Sequence, residues 1–355
     1  MTTLLDALRQ TSQVDCDTLD SNVAHELGPF ADCTSNQVSK LPIPELDGSI
    51  NLVQAIAFSE ISRPLAGEPL LHHDALIKEA IQSARAALKE LQGSATFEEF
   101  VVQILMVKLQ LLIVSNVTGY VHIQTNPKLS YSTAGTIDDA YRIVSIFKQL
   151  APDFDEKRVC IKIPATWEGL QACRTLEMKG IATLATTMFC MEQAALAAEA
   201  QCTYIAPYVN ELKVHFEAGY VDENKAFDFC REAQAYYIGH SFRTQVLAAS
   251  LTSVDEVMQL AGIQHVTISP NLLHGLVSTE LSAWNGKLGE CFAQGPANKS
   301  WETKDYNALV KDESSWRMAF TRSGFGSSEG KIIQAINYFA DFQDKLEELV
   351  KQHAE

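Results

Sequence analysis

From about residue 121 onward the chain alternates short apolar runs with longer amphipathic stretches. GYVHIQTN, VCIKIPA, IATLATTM, TYIAPYV, QVLAAS and HVTISP are too short for helices and read as strands. Between them, DDAYRIVSIFKQL, WEGLQACRTLEMKG, EQAALAAEA, the stretch from Asn224 to Ile238, and VDEVMQLAG carry helical periodicity. Upstream, Gln13 to Asp20 and Pro29 to Gln37 read as two further strands with polar ends, giving eight, around 15, 32, 122, 161, 184, 205, 247 and 267. Strands alternating with helices predict right-handed βαβ units and a parallel sheet. Eight of them predict an α/β fold, a (β/α)8 TIM barrel with additional helices.

Residues 38 to about 116 read as mostly helical. HDALIKEAIQSARAALKELQG is expected to form a helix ended by Gly93, and FEEFVVQILMVKLQLLIVSNV a helix buried around most of its circumference. GKIIQAINYFADFQDKLEELVKQ predicts a long C-terminal helix packed on the barrel. The whole chain, 1–355, is expected to be a single barrel domain. An open dinucleotide-binding sheet is disfavoured because no GxGxxG follows the first strand.

One strand carries an amine. In VCIKIP, Cys160, Lys162 and Pro164 share one face, and Val159, Ile161 and Ile163 the other. A lysine among apolar neighbours loses basicity and becomes a nucleophile toward carbonyls, giving a carbinolamine and then an iminium. A lysine that reaches water along its stem is the bland alternative. In a barrel, side chains converge at the C-terminal strand ends. Reading each end gives Asp17, Asn36, Gln124, Lys162, Thr186, Tyr208 and Ser250. Imine chemistry needs such groups: Asp17 as base or hydroxyl ligand, Tyr208 and Thr186 as a proton relay through water, Asn36 and Gln124 to orient hydroxyls. Asp32 is open to reading as a turn cap, and Asp15 as a solvent-facing carboxylate.

Composition narrows the partners. A net charge of -16, spread along the chain, argues against nucleic acid and anionic membranes. The start MTTLLDALRQ has no leader pattern and no long uncharged apolar run follows, so a cytoplasmic protein is expected. The 8 cysteines include no CxxC pair and read as buried free thiols. SGFGSSEGK departs from the phosphate-loop pattern at Phe325 and Ile332 and reads as a helix start, and His72 and His73 read as surface residues. No cofactor and no metal is expected.

LSYSTAGTIDDAYRIV, VCIKIPATWEGLQACRTLEMKGI and EQAALAAEAQCTYIAPYV strongly resemble the transaldolase family, class I aldolase-type barrels with a Schiff-base lysine on the fourth strand. The resemblance runs from LRQTSQVDCDTLD to KLEELV, and K-x-x-x-T-W-E-G is its most specific part. It implies that Lys162 forms the imine, Asp17 transfers a proton at the cleaved carbon, Thr186 positions water, and Asn36 and Ser250 hold substrate, with Thr34 and Ala206 beside them. Two departures stand out. Gln124 replaces a glutamate, and Ala206, Pro207 and Tyr208 replace S-P-F, which is similar to fructose-6-phosphate aldolases and shifts acid/base work to Tyr208. Two arginines that hold the sugar phosphate in the family fall at Glu211 and Thr252, and Arg243 sits before its strand, at the wrong end of the barrel to replace them. The resemblance implies a ketose donor and an aldehyde acceptor, pentose-phosphate-type carbohydrate chemistry, and a homodimer or larger assembly. An aldolase for unphosphorylated acceptors and a catalytically silent binding barrel are the alternatives.

Overall fold

The computed structural model describes residues 2–34, 74–293 and 299–354. Its centre is a closed parallel barrel in which eight strands follow one another in chain order. They are β1 (Gln13–Asp17), β2 (Cys33–Thr34), β3 (Val121–Gln124), β4 (Val159–Pro164), β5 (Ala182–Met188), β6 (Tyr204–Pro207), β7 (Gln245–Ala248) and β8 (His265–Ile268). The eight expected strands are all present; the first is shorter than expected and the second starts later, while its expected end at Gln37 lies outside the described residues. β1 ends at Asp17, and the described part of β2 is only Cys33–Thr34.

The strands are buried on both faces, one covered by helices and the other turned into the barrel interior. Ile123, Ile161, Ile163, Ala185 and Ile205 face the helices. Cys160, Leu184, Ala206 and Leu247 face inward, in one cluster with Ala335 and Phe339 of the terminal helix. That helix, Ser327–Ala354, lies across the barrel mouth. Its Tyr338 ring stacks on Phe216 with centroids 4.0 Å apart, and Asp344 and Glu347 pair with Lys128 beyond β3. The helix start is the expected reading of SGFGSSEGK, with Gly324, Phe325 and Gly326 all at positive φ just before it.

One helical reading needed correction. The first helix after residue 73 runs only Asp74–Arg85 and gives way to turns and the short 3-10 segment Lys89–Leu91, so Gly93, at φ +58°, follows the cap of that segment instead of ending the α-helix. Phe97–Ile113 forms the expected buried helix, opened by a Thr96–Glu99 capping box. No described helix is long and apolar enough to cross a membrane. All eight cysteines are buried and free. His72 and His73 lie outside the described residues.

Candidate functional site

β4 delivers Lys162 into the barrel, and the TWEG segment fixes where the strand stops. Thr166 caps the following helix, Trp167–Met178, by accepting from Gly169 N at 2.9 Å, while its own hydroxyl donates to Ser130 O at 2.5 Å. At Gly169 a Cβ would stand 2.1 Å from Pro164 O, so only glycine lets the helix approach the strand end this closely. Trp167 packs on Trp316 with centroids 5.5 Å apart.

The parallel register sets the heights of the inward side chains. Gln124 pairs with Lys162 across β3 and β4, Lys162 with Leu184 across β4 and β5, and Asp17 with Thr34 across β1 and β2. Lys162, Asp17, Thr34, Gln124, Thr186, Ala206, Tyr208 and Ser250 are all buried, so the snorkelling alternative for the lysine fails. Lys162 Nζ has no hydrogen-bond partner among the described residues. Burial lowers its pKa to about 7, against the opposing pull of the Asp17 charge and of Cys160. Asp17 accepts from the Thr34 hydroxyl at 3.2 Å, and Thr34 also meets the Thr267 hydroxyl of β8.

On the far wall, Thr186 Oγ1 donates to the Tyr208 hydroxyl at 3.3 Å. Burial pushes the Tyr208 phenol well above its ordinary value, so at neutral pH it is a proton donor. Gln124 is buried with neither amide atom paired among the described residues. Ser250 sits just past β7 with φ 63°, a backbone conformation uncommon outside glycine. Its hydroxyl meets His215 Nε2 at 2.9 Å. Asn36 lies outside the described residues.

At the two positions read as lost phosphate ligands, the carboxylate of Glu211 accepts from the Tyr220 hydroxyl, and Thr252 donates to Glu256 Oε1 at 2.9 Å. Arg243 is bound at the opposite, N-terminal end, to Glu177 at 2.8 Å and to Gln201 O. Glu177 also accepts from Thr183 N and Thr203 N near the starts of β5 and β6.

Sequence reasoning missed two features. His215 ends the short 3-10 segment Leu212–His215 after β6, and no periodicity marks it as a partner of Ser250. Below Lys162 lies a polar barrel floor. Asp15 pairs with His265 at 3.1 Å, Asp32 with His122 at 3.2 Å, and the Tyr204 ring sits between the two imidazoles, 4.9 and 5.5 Å from their centroids. Asp15 is fully buried rather than solvent-facing, because it shares the inward face of β1 with Asp17. Asp32 is likewise more than a turn cap, accepting from Tyr120 N at 2.7 Å.

Comparison with known proteins agrees with this architecture. A model of the Transaldolase/Fructose-6-phosphate aldolase family matches residues 66–323. The chain is 31% identical to a transaldolase of Saccharomyces cerevisiae over 265 residues, covering 70% of this chain and 73% of that one. It is 31% identical to transaldolase B of Pasteurella multocida over 253 residues, 69% of this chain and 75% of that one. A probable transaldolase of Dictyostelium discoideum is 27% identical over 365 residues, covering 99% of both chains. With most of its length matched, and with a closed eight-stranded barrel, this chain belongs to the transaldolase/fructose-6-phosphate aldolase family and is an enzyme of the class I aldolase type.

Proposed function

We propose that the enzyme moves a dihydroxyacetone-type ketol unit from a ketose donor to an aldehyde acceptor through an imine on Lys162. The observation that carries this reading is the Lys162 amine itself: buried, without a hydrogen-bond partner among the described residues, and with a pKa lowered to about 7. Such an amine is largely neutral just above neutral pH and attacks the donor's C2 carbonyl. Loss of water gives the iminium. Asp17 takes the proton of the C4 hydroxyl, the C3–C4 bond breaks, its electron pair enters the iminium to give an enamine, and an aldehyde departs. Attack of the enamine on a second aldehyde completes transfer. Protonation at C3 and hydrolysis instead complete aldol cleavage and release dihydroxyacetone.

Thr186 and the protonated Tyr208 phenol form the hydrogen-bonded pair that handles water and proton at the carbinolamine stage. Glutamine exchanges no protons near neutral pH, so Gln124 orients hydroxyls, together with Thr34, Asn36, Ser250 and the space left by Ala206. The Thr186–Tyr208 pair and the uncharged Gln124 favour a second reading, in which aldol addition and cleavage dominate over transfer.

The acceptor in either case is an unphosphorylated aldehyde. A carboxylate at Glu211 repels a phosphate, and the Thr252 hydroxyl already serves Glu256. Borohydride trapping with dihydroxyacetone or fructose 6-phosphate, followed by peptide mass spectrometry, tests the core of the reading. A reduced adduct on Lys162, absent from Lys162→Met, is expected, and folded wild type without adduct refutes it. Erythrose should match or exceed erythrose 4-phosphate as acceptor in kcat/KM. A preference of about ten-fold or more for the ester would reject the acceptor assignment.

A further inference from the structure

A cavity of about 440 Å³ opens beside the barrel mouth, over the ends of β6, β7 and β8. Asn210 reaches it two residues after Tyr208, Leu251 and Thr252 directly after Ser250, and Ser269 directly after β8. His215, the partner of Ser250, stands in its wall. We propose that this cavity is the acceptor-tail site, and that it takes an uncharged aldehyde carrying an aliphatic or aromatic tail. The proposal rests on the imine reading of Lys162 for the reactive end of that acceptor.

Three observations fix the chemistry. The first is charge: among the described residues no lysine or arginine lines the cavity, whereas Glu217 and Asp222 do. Lys213, adjacent in the chain to Val214, is held by Glu217 at 3.2 Å and by the Tyr220 ring, 4.7 Å from its centroid. Lys331 is turned to Asp222 at 3.5 Å. An anionic tail would thus meet carboxylates with the neighbouring cations already engaged. The second is apolar wall: Val214, Phe216, Val221, Leu251 and Leu272 contribute it. Phe216 is braced from behind by the Tyr338 ring of the terminal helix, so this wall is firm. The third is size. Sites for drug-sized ligands span ~300 to 1,000 Å³, so this volume exceeds what a three- or four-carbon aldehyde fills. His215 and Ser250 then form the polar threshold between the reacting centre and the tail, where a hydroxyl of the acceptor meets the imidazole.

The test separates the cavity from the chemistry. Calorimetric binding of 3-phenylpropan-1-ol and of glycerol 3-phosphate to the full-length protein needs no catalysis. The alcohol should bind measurably more tightly than the phosphate ester, and Leu272→Trp, which fills the cavity, should weaken it by about ten-fold or more. Equal or tighter binding of the ester, or an unchanged affinity in Leu272→Trp, overturns the proposal. In turnover, 3-phenylpropanal should exceed glyceraldehyde 3-phosphate in kcat/KM. The ratio of 3-phenylpropanal to glyceraldehyde should fall by about ten-fold in Leu272→Trp, a ratio in which any general loss of active protein cancels. A ratio that does not move also overturns it. Failure of the imine reading is seen separately, as loss of borohydride trapping at Lys162 in wild type.

Discussion

At the scale of single residues, the amine proposed to react is also a source of instability. Lys162 titrates near 7 in the folded protein against an ordinary 10.5, because burial penalises its charged form. Between those values the unfolded chain binds one more proton than the folded one, so stability rises with pH across that window. Below about 7 both states are charged, and the whole penalty is present. Lys162→Met should therefore stabilise the protein at pH 7 by several kcal/mol, up to about 5. Its advantage in Tm over wild type should shrink as pH is raised toward about 10. An advantage that is independent of pH, or a loss of stability, would mean the amine is not desolvated as placed here. The lysine was legible in the sequence because a charge inside VCIKIP breaks an otherwise apolar pattern. His215 was not, since its pairing with Ser250 joins two segments 35 residues apart that meet only when the barrel closes.

At the scale of elements, strand order and helix alternation could be read from periodicity, while lengths could not. The helix after residue 73 stops at Arg85 although its pattern continues, because the turns and short 3-10 segment that follow still bury Leu88. Apolar spacing records burial, and burial does not require unbroken helix. β2 begins later than read for a related reason: Phe30 to Asp32 are buried or half-buried without forming strand, apart from an isolated bridge at Phe30. The TWEG turn is the most constrained local feature of the site. Gly169→Ala places a Cβ against Pro164 O and Ile163 Cγ2, so the helix start or the end of β4 has to move. Overpacking of this kind costs ~1 to 3 kcal/mol. The expected outcome is a lower denaturation midpoint together with a reduced yield of trapped Lys162 adduct. Loss of stability with full trapping would show that the turn supports the fold without positioning the amine.

The whole molecule is organised as a layered barrel: acid–imidazole pairs at the floor, the amine with Asp17 and Gln124 above, and the terminal helix across the mouth. Parity along β1 carried the signal for the floor, since Asp15 and Asp17 lie two residues apart and point the same way. The partners His265 and His122 come from strands far along the chain, which no local pattern joins. Burial raises the Asp15 pKa to about 6, with His265 pulling the other way. For His265 burial works toward a lower value, and the Asp15 hydrogen bond and charge outweigh it and raise the pKa. The two therefore act as a unit, and breaking one side strands the other in a closed interior. Asp15→Val and His265→Leu should each destabilise by roughly 3 to 5 kcal/mol. The double variant, which leaves an apolar contact in place of the pair, should lose clearly less than the sum, with a coupling of roughly 1 to 3 kcal/mol. Urea denaturation of the four proteins measures this cycle. Additive losses would mean that Asp15 is held chiefly by the Asp32 backbone N–H at 3.0 Å, and that the floor is two separate hydrogen-bonded sites rather than one paired layer beneath the amine.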